Sequence, residues 1–147
     1  MMTALDIFFT ISSIVFTGLT VYGAITLKRS LLLYGICLYS ILPILGESKS
    51  FLENGELVHL TIIMAFIAQL IIAFPTKPNY GPDNLAATSL AKKIGLAILI
   101  TNLVQGYIIV GMSLGVPTRY GYCHLIIAAA MLFVVVRSFN KPEMKWN

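Results

Sequence analysis

Residues 5–27 read LDIFFTISSIVFTGLTVYGAITL, and the first basic residues of the chain, Lys28 and Arg29, follow directly. The stretch contains a single charged side chain, Asp6, close to its start. A helix needs about 20 mainly apolar residues to cross the hydrocarbon core of a bilayer. Residues 5–27 therefore predict a membrane-spanning helix whose positive charge lies at its C-terminal end, and no basic segment of the kind that opens a signal peptide comes before it.

Four further apolar stretches follow, separated by polar segments that carry nearly all of the charge. They lie at residues 31–46, 57–75, 94–116 and 120–136. Of the 147 residues, 58% are hydrophobic and only 11% are charged, a composition unlike that of a soluble domain. We predict an all-α integral membrane bundle of five transmembrane helices that forms one domain over residues 1–147.

The second stretch, residues 31–46, is short for a membrane crossing. At 1.5 Å per residue it covers about 22 Å, against a hydrocarbon core of about 30 Å, so a re-entrant segment is an alternative. Charge favours a full crossing, because five crossings place eight of the ten basic residues on one side: Lys28, Arg29, Lys77, Lys92, Lys93, Arg137, Lys141 and Lys145. Basic residues mark the cytoplasmic side of short loops. We expect the N-terminus outside and the C-terminus inside.

Two connections carry helix-boundary signals. Asn54 and Gly55 form a turn signal, and Asn54 can also cap the third stretch. In the long inner connection, residues 76–93, Asp83 is a candidate N-cap. It predicts an interfacial helix that starts near Leu85 and continues into the fourth stretch.

Small and hydroxyl-bearing residues form two candidate faces for close helix packing. In the first stretch they recur at spacings of three and four, and in the fourth they form a GxxxG pattern. The predicted packing residues are Thr10, Ser13, Thr17, Thr20, Gly111 and Gly115. Small side chains let helix backbones approach closely in lipid, where little hydrophobic force acts between helices.

Amides are the deepest polar side chains of the apolar stretches. Gln69 lies in the third stretch, and Asn102 and Gln105 lie one turn apart in the fourth. An unpaired amide in hydrocarbon is costly, whereas an amide bonded across two helices stabilises them. We predict helix–helix polar contacts for these three residues; a solute-binding site is the alternative.

Two histidines, His59 and His124, lie near the outer ends of the third and fifth stretches, and Glu56 stands one turn before His59. Imidazoles at equal depth on facing helices can bind haem or a metal. They can equally be polar caps at the lipid boundary. We expect no bound haem or metal, and Glu56 as the partner that orients His59.

The predicted spans contain no Asp, Glu, Lys or Arg deep in the membrane, which argues against a proton-coupled transporter working alone. The main hypothesis is a non-catalytic structural or accessory subunit of a larger membrane complex. Its partners would be the bilayer and other membrane subunits, or further copies of itself, with no role for nucleic acid. The rivals are a redox subunit that binds haem b or a quinone near the outer leaflet, and a homo-oligomeric channel or carrier for a small neutral solute. A bacterial or archaeal plasma membrane is the expected location, with an organellar membrane as the alternative.

Overall fold

The computed structural model describes residues 3–74, 85–112 and 116–140, and side chains over residues 3–74, 92–112 and 116–138. These residues form five α-helices and no strand, so the predicted all-α class is confirmed. The helices are α1 (Ala4–Thr26), α2 (Arg29–Asn54), α3 (Leu57–Ala73), α4 (Leu85–Gly111) and α5 (Thr118–Asn140). The helix that the sequence predicts near Leu85 runs unbroken to Gly111, while its candidate cap Asp83 and the rest of residues 75–84 lie outside the described residues.

Four of the helices contain segments long and apolar enough to cross a membrane: Ala4–Thr26, Arg29–Asn54, Lys92–Gly111 and Thr118–Ser138. The fifth, α3, is apolar but has 17 residues, which span about 26 Å at 1.5 Å per residue. A helix slightly shorter than the hydrocarbon core is accommodated by local thinning of the bilayer or by its flanking polar residues.

Helix α2 is much longer than the predicted stretch at residues 31–46. It has 26 residues and continues past Pro43 to Asn54, so residues 47–54, predicted to be a connection, are helical. Lys49 and Glu53 pair one turn apart at 3.8 Å, and the hydroxyl of Ser48 donates to the Ile44 carbonyl. Helix α2 is therefore about 39 Å long, whereas the predicted stretch was shorter than the hydrocarbon core, and this removes the reason for a re-entrant segment.

The helices close into a ring in chain order. Helix α1 packs on α2 and α5, α2 packs on α3, and α4 packs extensively on α5. Helices α3 and α4 complete the ring through few contacts. Hydroxyl oxygens of Thr10 and Tyr120, both near the first residues of their helices, lie 3.4 Å apart, so α1 and α5 run parallel.

The turn between α2 and α3 corrects one prediction. Asn54 is the last residue of α2 and does not cap α3; Glu56 takes the N-cap position without a side-chain hydrogen bond. Gly55 ends α2 in the left-handed conformation, with φ of 69°, and its N–H donates to the Phe51 carbonyl at 2.8 Å. The predicted turn is present, but its cap belongs to the preceding helix.

Replacing Gly55 with alanine is expected to lower the free energy of unfolding by about 1 kcal/mol, because a Cβ atom is strained at positive φ. Apart from its chain neighbours, no described residue has an atom within 4 Å of the added Cβ, so the cost comes from the backbone conformation alone. Gly46→Ala is the matched control, since Gly46 is inside α2 with equally open surroundings and alanine favours the helix there. Denaturation in detergent measures both, and equal stabilities for the two variants would contradict the argument.

Candidate functional site

Four polar side chains meet inside the ring, one from each of the helices α2 to α5. They are Ser40, Gln69, Asn102 and His124, which we call the polar network, and each is at most 3% exposed. Buried polar groups are costly in an apolar interior unless they are hydrogen-bonded. Their bonds therefore decide what this region can do.

The orientation of Asn102 is fixed by a backbone carbonyl of its own helix. Its Nδ2 lies 2.9 Å from the Ile98 oxygen, which can only accept, so this atom must be the N–H donor. The same Nδ2 donates to Oε1 of Gln69 at 2.8 Å. The amide oxygen of Asn102 is then left facing Nδ1 of His124, 2.9 Å away.

The remaining donors and acceptors follow in order from Asn102. Because Gln69 accepts through Oε1, its Nε2 donates to the hydroxyl oxygen of Ser40 at 2.9 Å. That hydroxyl in turn donates to the Ile36 carbonyl at 2.8 Å. Each side chain of the network therefore donates to the next, from α5 through α4 and α3 to α2. The chain of donors begins at Nδ1 of His124 and ends at the Ile36 carbonyl.

At the start of the network, His124 donates from Nδ1, because the Asn102 oxygen can only accept. A neutral imidazole with its proton on Nδ1 carries its lone pair on Nε2. Aromatic rings hold the imidazole in place: Tyr39 meets it edge-on at 4.9 Å between centroids, and Phe66 lies tilted at 5.4 Å. The Tyr39 hydroxyl donates to the Tyr120 carbonyl at 3.3 Å.

Two of the three amides predicted from the sequence lie in this network. Gln69 and Asn102 bond to each other between α3 and α4, the two neighbours with few other contacts. Gln105 is half-buried one turn further along α4 and takes no part in the described network. Sequence reasoning missed Ser40. It placed His124 near the outer end of the fifth stretch and did not predict that its side chain is buried among the helices.

The second histidine has different surroundings. His59 lies in the first turn of α3, with Nδ1 at 2.5 Å from Oε2 of Glu47 and Nε2 at 3.7 Å from Oε2 of Glu56. Glu56 is a neighbour, as expected, but Glu47 is the nearer partner because α2 remains helical and carries it beside α3. No described contact joins His59 to His124. The described residues contain no group of three His, Cys, Asp or Glu side chains close enough together to bind a metal ion.

The packing residues predicted on α1 face the interior of the bundle. Ser13, Thr17 and Thr20 are buried against the bundle and Thr10 is half-buried. Three of the hydroxyls, on Thr10, Ser13 and Thr20, donate to carbonyls of α1 four residues earlier. The buried Thr17 hydroxyl instead lies beside the thiol of Cys123 on α5.

The GxxxG pattern in α4 stays a prediction. Gly111 is exposed at the end of α4, and Gly115 lies outside the described residues. The close contact between α4 and α5 instead uses Gly106 and Gly121. A Cβ atom on either would lie 2.6 Å from a side chain of the other helix, Leu125 or Val110 respectively.

These features define a class of protein: an α-helical bundle with membrane-span candidates and a hydrogen-bonded polar network in its interior. Comparison of the chain with family models, with curated proteins and with solved structures gives no match.

Proposed function

We propose that the protein is a non-catalytic structural or accessory subunit of a larger membrane assembly. The observation that carries this proposal is the polar network, in which the amides of Gln69 and Asn102 bond to groups of the same chain. Polar groups with such partners stabilise a bundle and have little capacity left for a substrate.

A carrier for a neutral solute fits the geometry less well. Its amides would have to exchange their partners for the solute on each cycle, and here Gln69 is bonded at both ends while Asn102 makes three bonds. Breaking such bonds in an apolar interior costs about 1–3 kcal/mol for each group left unpaired. The network therefore supports a fixed scaffold.

The described charges also lie at the ends of the bundle. Asp6 and Glu56 lie at the starts of α1 and α3, and Lys93 and Arg137 lie in the first and last turns of their apolar segments. Glu47 lies about two turns before the end of α2, where it pairs with His59 in the first turn of α3. Charged groups at membrane depth usually mark ion or proton pathways. Their position here supports a function exerted through the outer faces of the helices.

Those outer faces are apolar on every side of the ring. Examples are Ile14 on α1, Ile71 on α3 and Leu103 on α4, each more than half exposed on the isolated chain. In a bilayer such faces contact lipid or the helices of partner subunits, which associate through packing and not through the hydrophobic effect.

Site-specific photocrosslinking in native membranes tests the subunit proposal. A photoreactive residue at position 14, 71 or 103 should give a discrete protein adduct from at least one face, and the same partner should co-purify in mild detergent. The buried position Ile127 is the matched control and should give none, because it has no exposed surface. A chain that purifies alone, gives only lipid adducts and moves a solute in liposomes would reject the proposal.

One observation favours a second candidate, a redox subunit. Nδ1 of His124 donates to the amide oxygen of Asn102. A histidine that binds a metal with one ring nitrogen usually donates from the other to an oxygen acceptor in the same manner. A second ligand is needed for haem b, and the described residues bring no other histidine to it. We expect the purified protein to show no Soret band. A band that disappears in His124→Ala and persists in His59→Ala would make the redox function the leading one.

We also propose that the N-terminus faces outside and the C-terminus inside, from the excess of basic residues on the inner side. Single cysteines at Ser50 and Thr118 should react with an impermeant thiol reagent in intact cells, and those at Asn84 and Asn140 should not. Both native cysteines, Cys37 and Cys123, are buried and free. They are replaced first, and the parent variant sets the background. Labelling at Asn84 from outside would reject this topology.

A further inference from the structure

The described cations of three elements meet at one end of the ring, which we call the basic end. They are Lys28 and Arg29 at the turn between α1 and α2, Lys92 and Lys93 on α4, and Arg137 on α5. Gly95 of α4 lies beside Val135 of α5, since a Cβ on Gly95 would be 3.2 Å from a Val135 methyl. Because α1 runs parallel to α5, the end of α1 comes to the same side.

The opposite end has a different balance. The four described acidic residues, Asp6, Glu47, Glu53 and Glu56, all lie there. Two cations accompany them: Lys49 pairs with Glu53, and Arg119 lies over the ring of Tyr120. The carboxylate side chains of the described residues therefore all lie at the end opposite Lys28, Lys93 and Arg137.

Two of the cations at the basic end lie against rings that face out of the bundle. Nζ of Lys28 is 5.9 Å from the centroid of Tyr22, and Cζ of Arg137 is 5.7 Å from that of Phe133. Tyr22 is 52% exposed and Phe133 44% exposed on the isolated chain. Cations that lie back along lipid-facing rings are placed at the depth of the headgroups.

We propose that the basic end binds anionic phospholipids through their phosphate groups. Lys28, Lys93 and Arg137 supply the charge on three neighbouring elements; Arg29 and Lys92 lie beside them, each with an interaction partner of its own. An acidic protein in solution would need cations that extend into water, whereas Lys28 and Arg137 are positioned along the membrane boundary. The proposal concerns lipid and is independent of whether the chain is a subunit.

Titration of the detergent-purified chain with defined lipids tests the proposal. Native mass spectrometry should show phosphatidylglycerol retained in preference to phosphatidylcholine, and the preference should fall as salt screens the charges. Each basic residue near a membrane surface contributes about a fivefold change in affinity. The triple variant Lys28→Gln/Lys93→Gln/Arg137→Gln should therefore weaken the retention of phosphatidylglycerol by about a hundredfold.

The control is Lys49→Gln/Arg119→Gln at the opposite end, which removes two cations and should leave the preference unchanged. If the triple variant does not fold, its three single variants are measured, each with an expected loss of about fivefold. Equal retention of both lipids, or an equal loss in the control, would overturn the proposal. Glycerol phosphate, which has no acyl chains, should bind weakly. If it binds as tightly as the lipid, the basic end is a site for free phosphate; if polyglutamate binds tightly, the partner is an acidic protein. Either result would overturn the lipid proposal.

Discussion

Replacing Asn102 with leucine is expected to lower the free energy of unfolding by about 2 kcal/mol, without a direct loss of any bound substrate. Leucine cannot accept from Nδ1 of His124 or donate to Oε1 of Gln69, so two groups in the interior lose their partner. Each unpaired group costs about 1–3 kcal/mol, but an unfolded state that remains in the membrane also offers partners, which reduces the total.

The matched control is Gln105→Leu. Gln105 is also an amide on α4, one turn away, but it is half-buried and outside the described network. Its replacement is expected to change stability by less than about 0.5 kcal/mol. Denaturation of both variants in the same micelles gives the comparison. If Asn102→Leu unfolds like the parent chain yet abolishes transport or catalysis, Asn102 lines a site and the scaffold proposal is wrong.

Gln69→Leu offers an independent check on the direction of the network. The substitution removes the acceptor for Asn102 Nδ2, but this nitrogen keeps its second bond, to the Ile98 carbonyl. It also removes the donor to Ser40, but the Ser40 hydroxyl still bonds to the Ile36 carbonyl. Because both neighbours retain one partner, Gln69→Leu should cost less than Asn102→Leu. The order of these two losses depends on the hydrogen-bond directions and not on burial alone.

The helices could be predicted from the sequence because their signals are local. Residues 5–27 match α1 (Ala4–Thr26) closely, since uninterrupted apolar sequence between polar ends is the main signal for a membrane helix. Residues 47–54 were missed as helix because charged and polar side chains there resemble a connection. In the structure they extend α2 beyond the apolar stretch, where such side chains suit a helix that leaves the membrane core.

The polar network could be predicted only in part, because its members come from four separate helices. Two buried amides in lipid need partners, and this alone indicates that Gln69 and Asn102 bond across helices. Which partner each amide takes depends on helix order and on helix start points. His124 lies inside the bundle because its face of α5 turns toward Asn102 of α4 and Phe66 of α3, and hydropathy does not specify which face turns inward.

The contact between α1 and α2 depends on glycines that the spacing of the α1 hydroxyls did not single out. A Cβ on Gly23 would collide with the backbone of Leu31 and Leu32. One on Gly35 would lie 2.6 Å from the backbone nitrogen of Thr20 and 2.9 Å from its Cα. The sequence marks one side of this interface, through Thr20, while the role of Gly35 on the facing helix can be recognised only once the two helices are placed together.

Replacing Gly35 with alanine is accordingly expected to destabilise the bundle by about 3 kcal/mol, because the new methyl group would overlap backbone that no rotamer change can move. Gly18→Ala on α1 is the control, since no described residue outside its own turn of helix has an atom within 4 Å of a Cβ there. This variant should be neutral or slightly stabilising. Thr20→Ala should not rescue Gly35→Ala, because the Thr20 backbone remains. A rescue would show that the Thr20 side chain, and not the backbone, sets the separation of α1 and α2; denaturation of the double variant in micelles decides between these outcomes.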